Sequence, residues 1–487
     1  MEMSIANLNP TRVWKHFESL TRIPRPSKKE AKAVMFMENF GKSLGLETFK
    51  DELGNVIIRK PATKGMENRK GIILQAHIDM VPQKNSDKVH DFEKDPIEPR
   101  IVDDWVYATG TTLGADNGMG VAVAMAVLEA KDLVHGPIEV LITVDEETGM
   151  TGARGLKPGL LKGDILINLD SEDEGELYVG CAGGLDATAT FKYTTVPVPA
   201  DYIGLALAIT GLKGGHSGMD IVLGRGNANK ALVRLLLPLV EKSGALIASF
   251  EGGSLRNAIP REAFATLAIP ASKISTAKKI VSKHFSDMKV ELAAQEPNLN
   301  IELNIAKRPV RAIDPEIALK AVKAIYACPN GVERMSDAMP GLVETSNNLA
   351  IVKSGNGKID VKSLMRSSVD SAKEIHAISL KSVFDLAGAK VSLTGGYPGW
   401  KPNMDSDILK IMKGVYKKLY GKEPEVKAIH AGLECGILGG TYPNWDMISC
   451  GPTIKSPHSP DERVNIKSVE KWWNYVVEVL KEAPVKK

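Results

Sequence analysis

Five residues of metal-binding type follow short apolar stretches of this sequence, and each lies in an unusual local string. They are His77 in ILQAHIDM, Asp116 in TTLGADNG, Glu147 in ITVDEETG, Asp170 in ILINLDSE and His458 in IKSPHSPDER. Two histidines and three carboxylates form the ligand set of a two-metal hydrolase, in which each ion keeps a position open for water or substrate. The pattern predicts a metal-bridged water that is activated by a base and attacks an amide carbonyl.

Asp116 divides the five ligands most simply if it bridges the two ions. A bridging carboxylate holds two ions about 3.5–4 Å apart, and each ion then has two further ligands. We assign His77 and Asp170 to one ion, and Glu147 and His458 to the other. Any one of these residues alone could equally be a solvated or buried polar residue. Their occurrence together, each in such a string, favours the metal site.

Two further carboxylates are close in sequence to the ligands. Asp79 lies two residues after His77, on the same face of a strand, where it can accept the free imidazole N–H and fix the tautomer. Glu146 precedes Glu147, and one member of this pair suits the general base that the reaction needs. Spacing alone does not decide which of the two is the base and which is the ligand.

Short apolar strands alternate with helical segments around these residues. The predicted strands are 55–60, 71–77, 138–144 and 164–169. Residues 116–130 predict a buried helix rich in small residues. A second helix is predicted over 27–44, where the first four residues, SKKE, form a capping box. This alternation indicates an α/β fold with a central mixed sheet covered by helices. In such sheets ligands bind beyond the carboxyl ends of the strands, where the candidate residues fall.

The sequence changes character after residue 186. Strand-like stretches then alternate with long amphipathic helices, which we predict at 227–242, 273–294 and 370–387. This part contains no cluster of metal-binding residues, and it indicates an inserted α+β domain over 187–397. Because His458 comes later, the chain must return to the first domain. We therefore predict a catalytic domain of residues 1–186 and 398–487.

Composition excludes several classes of protein. The chain has 487 residues, of which 43% are hydrophobic, so it can bury the cores of two domains. A net charge of +3 is too small for its length to indicate binding to nucleic acid or to membranes. No apolar run reaches the roughly 18 residues of a membrane span. The four cysteines are far apart and form no CxxC pattern, which indicates reduced thiols and a cytoplasmic protein.

Specific strings extend over nearly the whole chain. They are AHIDMV, GTTLGADNG, VDEETGMTGA, LDSE, GGHSG, RNAIPREA, GGYPGW, HAGLECG and GPTIKSPHSPDE. Together they resemble the aminoacyl-histidine dipeptidases, cytosolic enzymes of the aminoacylase/carnosinase superfamily of di-zinc exopeptidases. The resemblance implies hydrolysis of unblocked dipeptides, including Xaa-His types such as carnosine. It also implies two zinc ions per chain, for which cobalt or manganese can substitute.

The resemblance further implies roles for particular residues and for the inserted domain. Glu146 would be the general base, with Glu147 as ligand and Asp79 behind His77, and the peptide bond after Asp116 would be cis. The inserted domain would be a lid that recognises substrate and forms a homodimer.

Four residues are candidates to contact the dipeptide. By resemblance, His216 in KGGHSGMD would polarise the scissile carbonyl, although it could be an ordinary loop histidine. Asn257 and Arg366 could hold the polar ends of the substrate, because the planar fork of arginine binds both carboxylate oxygens. Glu434 in HAGLECG would receive the free α-amine or would cap a loop.

Two alternatives stay open on the sequence alone. An aminoacylase-like or tripeptide hydrolase would have the same metal chemistry and differ only in what the inserted domain recognises. A metal-binding interaction protein without catalysis is an alternative of another class, which the complete ligand set disfavours.

Overall fold

The structure is a computed structural model that describes residues 4–486. Its contacts divide the chain into two compact units. The first unit runs to Gly180 and resumes with Trp400–Ala428 and again at Leu433. The second unit comprises Cys181–Gly399 and the short return Ile429–Gly432. The two main boundaries predicted from the sequence lie at 186/187 and 397/398, and no predicted boundary corresponds to the return at 429–432.

The first segment of unit one alternates helices and strands. Its helices are α1 (Thr11–Thr21), α2 (Ala31–Ser43), α3 (Ala115–Glu129), α4 (Glu146–Gly149) and α5 (Thr151–Gly155). Its strands are β1 (Glu47–Lys50), β2 (Val56–Lys60), β3 (Ile72–His77), β4 (Pro99–Val102), β5 (Trp105–Ala108), β6 (Ile138–Thr143), β7 (Ile165–Asn168) and β8 (Glu176–Cys181).

The second unit is built mainly from strands with four long helices among its described residues. The helices are α6 (Ala228–Ser243), α7 (Ile274–Glu291), α8 (Pro315–Ala327) and α9 (Asp370–Leu386). The strands are β9 (Gly183–Lys192), β10 (Thr195–Pro197), β11 (Tyr202–Thr210), β12 (Gly215–His216), β13 (Leu246–Gly252), β14 (Ala258–Ile259), β15 (Ala263–Pro270), β16 (Asn300–Ala306), β17 (Arg311–Ile313), β18 (Gly331–Met335), β19 (Val343–Gly355), β20 (Lys358–Ser367) and β21 (Lys390–Tyr397).

The chain then returns to the first unit. The returning helices are α10 (Asp407–Tyr420), α11 (Glu434–Thr441) and α12 (Ile466–Lys481). The returning strands are β22 (Glu425–Ile429), β23 (Asp446–Ser449), β24 (Ile454–Lys455) and β25 (Arg463–Asn465).

The first unit is organised around a mixed eight-stranded sheet. Its strand order is β1-β2-β6-β3-β7-β23-β8-β22. The central strands β6, β3, β7 and β23 are parallel, whereas β1 and β2 are antiparallel. β3 and β6 are buried along their whole length, as expected for apolar central strands covered on both faces. α3 packs on β3, α2 on β1 and β2, and α10 on β23. The predicted α/β fold with a central mixed sheet is confirmed.

The second unit has a separate antiparallel sheet and a core of its own. Its main strand order is β16-β11-β15-β13-β19-β20-β9-β21. Alternate side chains of these strands are buried together with the apolar faces of α6, α8 and α9, for example Leu207, Leu235, Ile325 and Phe384. The unit is therefore the α+β type predicted from sequence.

One predicted helix start is wrong. The helix expected from residue 27 begins at Ala31, and no side chain caps it. Ser27 instead donates its hydroxyl hydrogen to Asp79 Oδ2 at 2.8 Å, and Lys28 has a left-handed φ of 68°. A tertiary hydrogen bond thus replaces the local capping box.

Two further observations concern the cysteines and the length of the helices. The four cysteines are buried and form no disulfide. Among residues 4–486, no helix combines the length and apolar character needed to cross a bilayer.

Candidate metal centre

The predicted ligands lie where neighbouring parallel strands of the first unit end. β6, β3 and β7 pair in parallel, so their carboxyl ends meet at one edge of the sheet. His77 is the last residue of β3, Glu147 follows β6, and Asp170 follows β7. Asp116 is near the start of α3, and His458 lies in the loop between β24 and β25. The topology therefore brings residues far apart in sequence to one place.

The five side chains form two donor triads that share Asp116. In the first triad, His77 Nε2 lies 3.2 Å from Asp116 Oδ1 and 3.3 Å from Asp170 Oδ1. In the second triad, His458 Nε2 lies 3.1 Å from Asp116 Oδ2 and 3.0 Å from Glu147 Oε2. Each oxygen of Asp116 faces a different triad, which is the arrangement expected of a carboxylate that bridges two cations.

The donors and their spacing fit a pair of divalent cations. Donors bound at about 2.0–2.2 Å around a tetrahedral ion lie roughly 3.3–3.6 Å from one another, close to the separations above. Glu147 Oε1 is buried and has no hydrogen-bond partner among the described residues. A cation would satisfy this atom, which the protein leaves unpaired. Nitrogen and oxygen donors without sulphur suit zinc, cobalt or manganese.

The cluster has an excess of negative charge. Burial alone would lower the pKa of His77, but Asp170 and Asp116 raise it well above 6.5. Hydrogen bonds to Asp116 and then Glu147 raise the pKa of His458 to about 11. The carboxylates that raise these two pKa values create a negative electrostatic potential. The same potential would attract a divalent cation.

Asp79 connects the first triad to the start of α4. Its Oδ1 lies 3.3 Å from His77 Nδ1. The carboxylate accepts hydrogen bonds from the backbone N–H groups of Glu146 and Glu147 at 3.0 and 3.3 Å. Burial would raise the pKa of Asp79, but His77, the Glu146 N–H and the Ser27 hydroxyl lower it to about 2. Asp79 therefore stays ionised and can orient the imidazole ring.

Glu146 lies beside the triads. One carboxylate oxygen of Glu146 lies within 4.8 Å of donor atoms of both His77 and Glu147. Burial raises the pKa of Glu146 well above 4.5, and although the positive charge of His77 opposes this, Asp170, Glu434 and Glu147 raise it further. A carboxylate with raised proton affinity suits a group that accepts and returns a proton near neutral pH.

The backbone at the ends of these loops is unusual. Asp145 and His458 have left-handed φ values of 56° and 59°, which cost energy for residues other than glycine. Asp145 compensates by accepting hydrogen bonds from the hydroxyls of Thr148 and Thr151. The peptide bond between Asp116 and Asn117 is cis, so the expectation from the resemblance is confirmed at this bond.

Glu434 is also part of the first unit, at the start of α11. It is 1% exposed, and its Oε2 accepts hydrogen bonds from Gln75 Nε2 at 2.6 Å and Thr143 Oγ1 at 2.8 Å. Its Oε1 has no partner among the described residues. Burial raises the pKa of Glu434 to about 7, against the opposing effects of His77 and Thr143. The hydrogen bonds of Glu434 join it to the strand residues Gln75 and Thr143 and do not cap a loop. They favour the alternative in which Glu434 has one oxygen available to a ligand.

Gln75 and Thr143 are contacts that the sequence analysis did not single out. Both lie in strands that are otherwise apolar, in the strings IILQAH and IEVLIT. A polar side chain inside a buried strand needs a hydrogen-bond partner. The polar residue within an apolar strand is visible in the sequence, but its partner is not. Glu434 lies 359 positions after Gln75 and 291 positions after Thr143.

The other candidate residues lie in the second unit. His216 Nδ1 accepts hydrogen bonds from the N–H groups of Gly218 and Met219 at 3.2 and 3.1 Å. Burial and then the charge of Arg366 lower the pKa of His216. The neutral imidazole therefore has its proton on Nε2, the tautomer needed to donate a hydrogen bond to a carbonyl oxygen.

Arg366 is buried in β20 and forms no salt bridge among the described residues, although its charge acts on the carboxylate of Asp186. It is 5% exposed, and its guanidinium contacts the Ser217 hydroxyl at 3.3 Å and the Tyr397 hydroxyl at 3.4 Å. A buried guanidinium whose hydrogen bonds are only to hydroxyl groups is suited to an anionic ligand. Asn257 is exposed, and its backbone carbonyl accepts the Ser217 N–H at 2.8 Å.

Comparisons with known proteins agree with this architecture. The profile of peptidase family M20/M25/M40 matches residues 73–482. The cytosol non-specific dipeptidase of Escherichia coli (strain K12) is 47% identical over 482 residues, which cover 99% of both chains. The crystal structure of aminoacylhistidine dipeptidase from Vibrio alginolyticus has 48% identity and a TM-score of 0.96, and it covers 100% of this chain and 99% of the other.

A more distant structure shares the fold. A tripeptidase from Staphylococcus aureus superimposes with a TM-score of 0.57 at 20% identity, covering 98% of this chain and 99% of the other. The resemblance to the aminoacyl-histidine dipeptidases that the sequence strings indicate is confirmed by the full-length matches. The chain belongs to peptidase family M20/M25/M40, and it is a hydrolase that acts on peptide bonds.

Proposed function

We propose that this chain is a metal-dependent dipeptidase that hydrolyses unblocked dipeptides, including Xaa-His types such as carnosine. The observation that carries the proposal is the pair of donor triads sharing Asp116. It occurs in a chain that is 47% identical to a dipeptidase over nearly its whole length. The Vibrio relative is an aminoacylhistidine dipeptidase, which supports the inclusion of Xaa-His substrates.

Two zinc ions per chain are the cofactors of this proposal, and cobalt or manganese would substitute. His77 and Asp170 would hold one ion, Glu147 and His458 the other, and Asp116 both. When bound, such ions polarise a peptide carbonyl and lower the pKa of water.

Glu146 is the residue proposed to move the proton. Its carboxylate would accept one proton from the attacking water and return it to the amine that leaves, so the carboxylate is regenerated in each turnover. Asp79 would keep Glu146 and His77 oriented through the hydrogen bond and the imidazole contact described above.

Four residues are proposed to recognise the substrate. The unpaired oxygen of Glu434 would bind the α-ammonium group, and the Arg366 guanidinium would bind the terminal carboxylate. Asn257 would add a hydrogen bond, and His216 Nε2–H would donate to the oxygen of the scissile carbonyl. This recognition of both charged ends would restrict the enzyme to short, unblocked peptides.

The second unit is also proposed to act as a lid and to form a homodimer. Light scattering should give the mass of two chains, and a monomer mass would remove this part of the proposal. The name of the E. coli relative places that protein in the cytosol, and we propose the same location for this chain.

A substrate panel tests the activity. Chelated protein would be assayed before and after addition of zinc, with free dipeptides, N-acetylated amino acids and tripeptides. Zinc-restored cleavage confined to free dipeptides is the expected result. Restored cleavage mainly of acylated or longer substrates would assign an aminoacylase-like or tripeptide hydrolase. Bound zinc without turnover on any substrate would favour the non-catalytic metal-binding protein.

A further inference from the structure

Two buried residues of opposite charge flank the segment that leads into α3. Arg25 is 1% exposed and Glu462 is 2% exposed. Neither belongs to the donor triads, and both bind the backbone of residues 113–116. That segment ends at Asp116, the carboxylate shared by the two triads.

The Glu462 carboxylate accepts four backbone hydrogen bonds from this segment. Its Oε2 accepts from the N–H groups of Leu113 at 2.8 Å and Gly114 at 3.0 Å. Its Oε1 accepts from Ala115 at 2.7 Å and Asp116 at 3.2 Å. Gly114, at the N-terminal end of α3, has no side chain to cap the helix. Asp116 and Asn117 also have non-helical backbone angles, so the regular part of α3 begins after them. A residue 348 positions away therefore satisfies backbone donors of the irregular segment that leads into the helix.

Arg25 binds the carbonyl side of the same segment. Its Nη2 donates to the Gly114 carbonyl at 2.6 Å. Its Nη1 donates to the carbonyls of Ile78 and Asp79 at 2.8 and 3.1 Å. Because these two residues directly follow β3, the rigid guanidinium fork fixes the loop after His77 to the segment before α3.

Glu462 similarly fixes the loop that contains His458. The Glu462 N–H donates to the carbonyl of Ser459 at 2.9 Å, so the turn between His458 and Glu462 is compact. His458 itself has a left-handed backbone and lies outside any strand. The carboxylate thus ties the His458 loop to the backbone of Asp116, its partner in the second triad.

We propose that Arg25 and Glu462 are positioning residues for the metal pair, and that Glu462 sets the affinity of the triad containing His458. The inference rests on the proposed function only in taking the triads as metal ligands. Asp116 belongs to both triads, but the other two donors of the first triad do not depend on Glu462. His77 ends β3 and Asp170 follows β7, and these two strands are hydrogen-bonded to each other. The second triad depends on a loop that Glu462 fixes.

The test is a zinc titration of chelated, folded protein by calorimetry. Glu462→Gln preserves the side-chain shape but replaces one acceptor oxygen with an NH2 group that faces backbone donors. Asp461→Asn is the matched control, since it makes the same charge change one residue away on an exposed side chain. Wild type and control should bind two zinc ions. Glu462→Gln should bind one normally and the second about 10- to 100-fold more weakly.

Three results would overturn the proposal. They are unchanged binding in Glu462→Gln, equal weakening of both ions, and equal weakening in the Asp461→Asn control. If Glu462→Gln does not give a folded circular-dichroism spectrum, Glu462→Asp replaces it, because it retains the charge and shortens the reach. Glu462→Asp should weaken binding of the second ion selectively, by less than Glu462→Gln but still measurably. If Glu462→Asp showed no such selective weakening, the proposal would also be overturned.

The titration is independent of the dipeptidase assay. Selective loss of the second zinc ion supports the positioning role even if no dipeptide is cleaved. Conversely, the wild type could hydrolyse dipeptides while Glu462→Gln binds both zinc ions as tightly as the wild type does. That result would preserve the proposed function and remove the positioning role. A wild type that binds fewer than two ions would overturn the positioning role at its premise.

Discussion

Glu146 and Glu147 are adjacent and chemically identical, yet their surroundings differ. Glu147 Oε2 lies 3.0 Å from His458 and belongs to a donor triad. Glu146 lies outside the two triads that share Asp116, and burial raises its pKa. Spacing alone leaves the base and the ligand undecided, whereas this geometry favours Glu147 as the ligand and Glu146 as the base.

Replacement of Glu146 by glutamine tests this division directly. Glu146→Gln should lower kcat by about 100-fold or more, because general-base catalysis contributes about 10²–10⁴-fold. Zinc content, measured by atomic absorption, should stay at two ions per chain. Glu147→Gln is the comparison and should lose zinc as well as activity. Full turnover in Glu146→Gln, or its loss of zinc, would reverse the two roles.

From the raised pKa of Glu434 we predict that the stability of the chelated protein depends on pH. Burial raises its pKa from 4.5 to about 7, so the folded state favours the protonated form. As pH rises from about 4.5 to 7, the unfolded chain ionises this group more readily than the folded chain. Stability should therefore fall across this range.

Glu434→Gln should reduce that loss of stability. Melting temperatures of chelated wild type and variant at pH 5, 6, 7 and 8 measure the difference. The wild type should lose more than the variant between pH 5 and 7. Glu146, whose pKa is raised in part by Glu434, adds to this difference in the same direction. Parallel curves would contradict the raised pKa. Added zinc should flatten the wild-type curve, because the cations stabilise the ionised carboxylate.

Among the secondary-structure elements, strands that end at the site were predictable and the contacts that fix its loops were not. The apolar runs at 71–77 and 138–144 correspond closely to β3 and β6, because a buried parallel strand has a distinct composition. The helix start at Ser27 was predicted wrongly, since the hydroxyl bonds to Asp79. Arg25 and Glu462 carry no local signal, because their partners are backbone groups up to 349 positions away.

The approach of α3 to Leu169, the residue after β7, depends on Gly120. A Cβ atom at this position would lie 2.6 Å from the Leu169 carbonyl oxygen and would clash with Asn117. In an open helix, Gly→Ala stabilises by about 0.5–1 kcal/mol. At Gly120 we expect the overlap to dominate, with a loss of about 1–3 kcal/mol.

Gly414 in α10 supplies the matched control, since a Cβ atom there would have no neighbour within 4 Å. Urea unfolding of chelated protein should show Gly414→Ala slightly stabilised and Gly120→Ala destabilised. Zinc affinity should fall only in Gly120→Ala, because Leu169 directly precedes the proposed ligand Asp170. Stabilisation by both substitutions would show that α3 does not need this close approach.

The whole molecule consists of two units with separate sheets. An inserted second domain was predictable because the candidate ligands Asp170 and His458 must meet although an α+β segment separates them. The return of 429–432 to the second unit was not predictable, since these four residues, the last of β22 and the three after it, are too few to show a periodicity. All five donors of the triads belong to the first unit.

This distribution predicts how zinc affects thermal unfolding. Because each unit has its own core, scanning calorimetry should resolve two transitions. Zinc should raise the melting temperature of the first unit only, since a ligand stabilises the part of the chain that binds it. Each bound ion should add about 3 kcal/mol of stability at a free concentration roughly 100 times its Kd. Glu147→Gln should reduce this zinc-dependent rise and leave the second transition unchanged. A single transition, or an equal rise of both, would show that the two units unfold cooperatively and that metal binding in one stabilises the other.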